Sequence, residues 1–335
     1  MTMKRYSLGI DIGGTKVAVV LGGGKIPESD VTKFILDRIC FDTQAKKGAD
    51  FVIGNICAAV EEIIAKYGLT RENTIGLGIS CGGPLDHREG IVLNPPNLYG
   101  WNHIPIVKIM REKFGLPTYL QNDANACALA EWKFGAAKGF HNVIFLTFGT
   151  GLGAGMILND KLYTGTNGMA GEVGHIRLSD WGPIGFGKAG SFEGFCSGNG
   201  ISQIGSMKTL ECLQMGTDVD WCTGIDGVGE LDAKQIAAAA EQGDWLALEI
   251  YQTSGWYLGK GLSILIDILN PDIIVLGSIY ARSEKLLRDS MCQVIQNEAL
   301  ERSRACCRIT PALLDNQIGD FAALSVAFDA EGAEG

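Results

Sequence analysis

Asp11-Ile12-Gly13-Gly14-Thr15-Lys16 stands between two β-rich runs, Tyr6–Ile10 and Val17–Leu21. A glycine pair flanked by such runs predicts a hairpin. With no Cβ in the way, its successive N–H groups are open to phosphate oxygens. The same plan returns in Asn142–Phe148, the turn Gly149-Thr150-Gly151-Leu152-Gly153, and Ala154–Leu158. Strand, glycine turn and strand thus occur twice, which predicts a duplicated unit. Each turn carries a hydroxyl, Thr15 or Thr150, and the first adds Lys16. Two turns of this kind facing each other suit a nucleotide held between lobes.

Other phosphate motifs fail on context. Gly151-Leu152-Gly153-Ala154-Gly155 lacks the G-x-G-x-x-G spacing and leads into a strand, so a Rossmann site is not expected. Gly14-Thr15-Lys16 reverses the Walker A order and also precedes a strand. Elsewhere, apolar spacing predicts helices over Phe51–Tyr67, Ile106–Phe114, Ala124–Phe134 and Leu246–Leu269. Strands are expected at Thr74–Ser80, Thr118–Leu120, Lys161–Tyr163 and Asp272–Gly277. No low-complexity linker separates two halves, so the lobes are expected to abut along a cleft.

The 335 residues exceed one small module and predict about two domains. Hydrophobic residues make up 46% and charged residues 20%, which excludes wholesale disorder. A net charge of −10, with no basic cluster beyond Lys46-Lys47, argues against nucleic acid as a partner. The polar start and the lack of a long apolar run argue against a secretory signal and a membrane helix. Ten cysteines without a C-x-x-C spacing predict reduced thiols in the cytoplasm. Glycine, at 46 residues, is abundant without a collagen period and points to many turns and close backbone approaches.

Further segments complete a pattern. Asn122-Asp123-Ala124-Asn125 and Glu172-Val173-Gly174-His175 accompany the two turns, with Leu93-Asn94-Pro95-Pro96-Asn97-Leu98 and Asn270-Pro271-Asp272-Ile273-Ile274-Val275-Leu276-Gly277 between and after them. Together they resemble the ROK (repressor, open reading frame, kinase) family of sugar kinases over nearly the whole chain. The resemblance implies an α/β, two-lobed actin-like ATPase fold with duplicated ribonuclease-H-like sheets. Its lobes would be 1–121, rejoined by a helix at 318–330, and 122–317. It also implies ATP-dependent phosphorylation of a hexose hydroxyl, most often the 6-hydroxyl, and a homodimer.

Phosphoryl transfer needs positioning, charge neutralisation and a base for the hydroxyl proton. Asp123 is the expected base, at a strand end and helix start where the helix dipole favours the carboxylate. Asn122 would hold neighbouring hydroxyls through its donor and its acceptor. By resemblance, Gly83, Asn97, Asn122, Asp123, Glu172, His175 and Glu193 bind the sugar. Asp11, Gly13, Gly14, Thr15, Lys16, Thr150, Gly151 and Gly277 bind ATP, with Asp11 orienting Mg²⁺ through water.

One departure stands out. The family's structural zinc uses the histidine of the Glu-Val-Gly-His segment and three cysteines, but Ile184, Phe186 and Ser191 occupy the cysteine positions here. No zinc is therefore expected, and Ile184 and Phe186 are expected to pack the loop instead. Three rival readings follow. Ten residues ahead of Asp11 are too few for the helix-turn-helix module of a ROK repressor. An iron–sulfur ATPase activator needs clustered cysteines. A non-catalytic sugar-binding protein would account for Glu172, His175 and Glu193, but not for two phosphate turns with Asp123.

Overall fold

The computed structural model describes residues 5–24, 26–27 and 30–334, with the last four of these as backbone. Two compact units divide the chain, one of residues 1–139, 161–170 and 313–335 and one of residues 140–160 and 171–312.

In the first unit, β1 (Tyr6–Ile12) and β2 (Lys16–Gly23) pair antiparallel through the glycine turn, with Ile12 opposite Val17. β3 (Ile35–Asp42), α1 (Ala49–Tyr67), β4 (Thr74–Cys81) and a short hairpin of β5 (Leu85–Asp86) and β6 (Ile91–Val92) follow. After them come α2 (Ile106–Phe114), β7 (Thr118–Asn122) and α3 (Asp123–Lys133). The sheet runs β3-β2-β1-β4-β7, antiparallel up to β1 and parallel from β1 onward.

Strand periodicity divides its side chains between two cores. Val17, Val19 and Leu21 face the core that contains Val52, Ile56, Val60 and Ile63 of α1. Ala18 and Val20 face the core that contains Phe34, Phe134, Phe321 and Leu324.

The second unit begins with β8 (Val143–Leu146) and β9 (Ala154–Leu158); the short strand β10 (Lys161–Leu162) comes next in the chain. A two-stranded ribbon, β11 (Ile184–Gly185) and β12 (Lys188–Ala189), precedes α4 (Phe192–Phe195) and α5 (Gly198–Gln214). Then come α6 (Ala233–Glu241), α7 (Trp245–Leu269), β13 (Ile273–Leu276), α8 (Ile279–Glu298), α9 (Glu301–Cys306) and β14 (Arg308–Pro311). β9 pairs antiparallel with β8, which pairs parallel with β13, as does β14. All four residues of β13 are buried, as expected for a strand covered on both faces.

The last helix, α10 (Ile318–Glu334), belongs to the first unit. Gly9 of β1 and Gly78 of β4 are register partners, and a Cβ on either would strike the backbone of α10. Their bare backbones are the seat on which that helix lies. The first unit also reaches past the expected boundary at residue 121, to Gly139. The reason is packing: Phe134, just after α3, lies 5.2 Å from Phe34 and 5.0 Å from Phe321, ring centre to ring centre.

Glu131 fastens this arrangement. Its fully buried carboxylate accepts from Leu313 N at 3.0 Å, Leu314 N at 2.9 Å and Ala136 N at 2.7 Å. Burial nevertheless pushes its pKa upward, because three N–H dipoles replace less than water gave. Glu131→Ala orphans all three donors and is expected to lower unfolding stability by about 3 kcal/mol, read as a lower midpoint in urea with an unchanged slope.

Candidate active site

In the first unit the glycine turn is held from beneath. Thr43, fully buried, donates its hydroxyl to Gly13 O at 2.6 Å and its N–H to Thr15 O at 2.8 Å. Gly13 N donates to Lys16 O at 3.0 Å. Among the described residues, the N–H groups of Gly14 and Thr15 have no internal acceptor, and Thr15 and Lys16 are exposed. Carbonyls are thus tied inward while N–H groups stay free, which is what an anion needs. Asn97 packs on this turn: a Cβ on Gly14 would come within 2.7 Å of Asn97 Cβ and 3.0 Å of its carbonyl oxygen.

Asn122, not Asp123, caps α3, its Oδ1 accepting from Ala124 N at 2.9 Å and Asn125 N at 3.5 Å. The acceptor expected for a sugar hydroxyl is therefore committed to the helix. The amide nitrogen remains, beside Gly83. Asp123 is the first helical residue; its Oδ1 accepts from Ala124 N at 2.8 Å, and its Oδ2 lies beside Gly82. The side chain is exposed at its surface yet ringed by enough protein to be desolvated, and desolvation pushes its pKa up. Hydrogen bonds from Ala124 N–H, its own N–H and Asn122 oppose that shift without cancelling it. The helix dipole, expected to keep the carboxylate ionised, is outweighed.

Asp11 is half-buried, and its pKa is pushed up to about 6, mainly by burial. The Ser80 hydroxyl bonds it and pulls the other way, while Asp320 and Asp123 add like charge. Asp320 itself is held by Arg38, Nε to Oδ2 at 2.7 Å. Gly319 sits where a Cβ would collide with Asp11 Oδ2. Thr43, Ser80, Gly319, Asp320 and Arg38 were not expected from sequence. They lie tens to hundreds of residues from Asp11 and bear no local motif; only the register of β1 with β4, which places Asp11 opposite Ser80, brings one of them to it.

In the second unit the turn 149–153 has the same logic. Gly149 N donates to Gly151 O at 3.1 Å and Gly153 N to Thr147 Oγ1 at 3.0 Å, while Thr150 N and Gly151 N have no internal acceptor among the described residues. Glu193 grips it, Oε2 accepting from Leu152 N at 3.0 Å, and a Cβ on Gly151 would stand 2.8 Å from that oxygen. Glu193 also packs on Gly174, so the segment carrying Glu172 and His175 is brought to the turn. Glu172 is exposed; its carbonyl accepts from His175 N at 3.1 Å, and its side chain makes no hydrogen bond or ion pair among the described residues. The second Glu193 carboxylate oxygen has no hydrogen-bond partner among the described residues.

Beside Thr150 a cavity of about 700 Å³ opens, lined by Asn199, Asp232, Lys234, Ser278, Ile279 and Arg282 among others. That volume is ordinary for a nucleotide-sized ligand. α5 starts at its edge, with Ser197 capping and Gly198 N donating to Gly149 O at 2.7 Å. Gly277, expected to face the adenosine, packs on β8, where a Cβ would meet Phe145 and Leu146 O. Its neighbour Ser278 lines the cavity in a left-handed conformation, φ 47°, its Oγ accepting from Arg282 Nη2 at 3.0 Å.

The stretch 184–189 departs from expectation. Ile184 and Phe186 do not pack the loop; they are 54% and 82% exposed. Gly185 pairs with Lys188, so Phe186-Gly187 forms a two-residue turn that turns both apolar side chains outward. The ribbon fixes the histidine loop by other means: Lys188 Nζ donates to His175 O at 2.8 Å, and the Phe186 ring stands edge-to-face against the His175 ring at 5.3 Å.

Comparison with known proteins agrees with this geometry. The ROK family model matches residues 7–329. A glucokinase of Halalkalibacterium halodurans is 30% identical over 319 residues, 94% of this chain and 92% of that one. The xylose repressor of Bacillus subtilis is 27% identical, over 97% of this chain and 77% of its own length. A ROK glucokinase from Streptomyces griseus, solved with glucose and AMPPNP, is 29% identical and superposes with a TM-score of 0.72, over 96% of this chain and 99% of that chain. Fold, glycine turns and sequence similarity therefore agree: the chain belongs to the ROK family.

Proposed function

We propose that this chain is an ATP-dependent sugar kinase that transfers the γ-phosphoryl group of MgATP to the 6-hydroxyl of a hexose, with Asp123 as general base. The observation that carries this reading is the placement of Asp123: one oxygen is fastened to the α3 backbone, and the other lies beside Gly82. A base anchored through one oxygen is oriented and still able to take a proton at the other. Its desolvation raises its affinity for that proton. The acceptor hydroxyl proton passes to Asp123 Oδ2, the acceptor oxygen bonds to the γ-phosphorus, and the bond to the β-phosphate oxygen breaks to release ADP.

The two turns supply free N–H groups and the Thr15 and Thr150 hydroxyls to phosphate oxygens. The cavity beside Thr150 takes the nucleoside, with Lys234 and Arg282 as cationic neighbours. By resemblance, Gly83, Asn97, the Asn122 amide, Glu172, His175 and Glu193 read the sugar. Magnesium fits Asp11, whose burial and acidic neighbours Asp320 and Asp123 disfavour its charge and leave it short of a cation. When bound, the metal neutralises phosphate charge; Asp11 orients it, and Arg38 keeps Asp320 from adding an unpaired charge.

Zinc does not fit. Among the described residues no group of three or more His, Cys, Asp or Glu side chains is arranged to hold a metal. Cys196, the thiol nearest in sequence to the histidine loop, is buried, with Sγ donating to Ser254 O at 3.4 Å.

The similarity to a xylose repressor favours sugar sensing as a second reading, and a panel separates the two. ADP release with D-glucose, D-mannose, N-acetylated hexosamines and D-xylose is expected for at least one hexose; sugar binding without ADP release would support sensing. Asp123→Asn is expected to lower kcat by about 10³-fold with little change in sugar KM. Because the base acts deprotonated and its folded pKa is raised, kcat/KM should fall on acidification at a pH above the ordinary aspartate range near ~4. A pH profile of the wild type checks this sign. EDTA followed by desalting is expected to leave the melting temperature unchanged, whereas loss of a structural zinc would lower it.

A further inference from the structure

We propose that Phe186 is a specificity-determining residue of the sugar site, its ring forming an apolar wall beside His175 against the C–H face of a pyranose. This rests on the reading of His175 as a sugar ligand. The turn itself argues for it. Phe186 and Gly187 have φ of 44° and 76°, the two positive values of a type I′ hairpin turn. That turn favours Asn, Asp or Gly at its first position, and a bulky aromatic there is a backbone outlier. Gly187 relieves its own position; Phe186 has no such relief.

Solvation gives no compensation, since the ring is 82% exposed. A residue unfavourable to both backbone and solvent is not accounted for by folding. Its placement accounts for it. The root of the ribbon is pinned, because a Cβ on Gly185 would meet Gly194 N at 2.7 Å and Glu193 Cβ at 2.9 Å. The far strand is pinned by Lys188 to the His175 carbonyl, and the ring itself stands 5.3 Å from the imidazole. The ribbon thus ties the Glu193 region to the His175 loop and holds an aromatic ring between water and the histidine. A pyranose presents hydroxyls at its rim and a C–H patch on its face. Imidazole and carboxylates suit the rim, and an aromatic ring suits the patch.

Phe186→Asn separates the two roles, since Asn suits the turn and lacks the ring. Isothermal titration and kinetics use the best acceptor among D-glucose, D-mannose and N-acetyl-D-glucosamine. We expect a melting temperature equal to or above wild type, sugar Kd and KM raised roughly tenfold, and an unchanged KM for MgATP. Phe186→Tyr should restore sugar affinity. Sugar affinity of Phe186→Asn within about twofold of wild type, while His175→Ala loses it, overturns this proposal alone. Unaltered affinity in both variants, or no sugar accepted by the wild type, overturns the parent reading with it. If Phe186→Asn does not fold, Phe186→Gly, which also suits the turn and lacks the ring, carries the same expectation and the same refutation.

Discussion

Two missing methyl groups govern the first unit. Gly9 and Gly78 lie side by side on parallel strands, and only their lack of a Cβ lets α10 rest directly on the sheet backbone. Close-packed interiors transmit such constraints, because no void exists to absorb a shift. The helix so seated sets Gly319 against Asp11 and delivers Asp320 to Arg38. The electrostatics around Asp11 therefore originate in a packing contact more than a full helical turn away. Glu131 reinforces the same seat from the other side, holding Leu313 and Leu314 just before the helix.

The second unit solves a matching problem with a carboxylate. A loop that leaves N–H groups free gives up part of its internal bonding and is weak by itself. Glu193 takes the N–H of Leu152, next to Gly151, and leaves those of Thr150 and Gly151 open. Gly151, Gly174 and Gly185 all crowd against the same side chain, so each is a point where the backbone has been brought to Glu193. The first unit uses Thr43 for the equivalent duty. Each turn is tied inward by an unrelated residue, Thr43 through carbonyls and Glu193 through the Leu152 N–H, while other N–H groups stay open.

Much of this was legible in the chain. The helix Ile106–Phe114 and the strand Ala154–Leu158 have the bounds their apolar spacing indicates, and both glycine turns fall between strands as expected. What escaped reading has physical causes. β3 alternates half-buried and exposed positions and carries Asp37 and Arg38, so it lacks the apolar run of an interior strand. α5 opens on Gly198-Asn199-Gly200, which reads as loop until Ser197 is seen to cap it. Asn122 caps α3 with Asp123 beside it in the first turn, because side-chain reach and not residue type decides which of two good cappers serves. Ile184 and Phe186 were expected inside because they are apolar; a two-residue turn places them outside regardless.

The seating of α10 also sets an order of events during synthesis. β1 leaves the ribosome long before the helix that covers its Gly9, which is drawn from residue 318 onward. The intervening second unit, residues 140–160 and 171–312, has its own internal core and can close while the first still waits. Until translation reaches α10, the core around Ala18 and Val20 lacks Phe321, Ala322, Leu324 and Val326. A nascent chain of this kind carries an apolar surface while the second unit is being made, and holdase chaperones would meet it there.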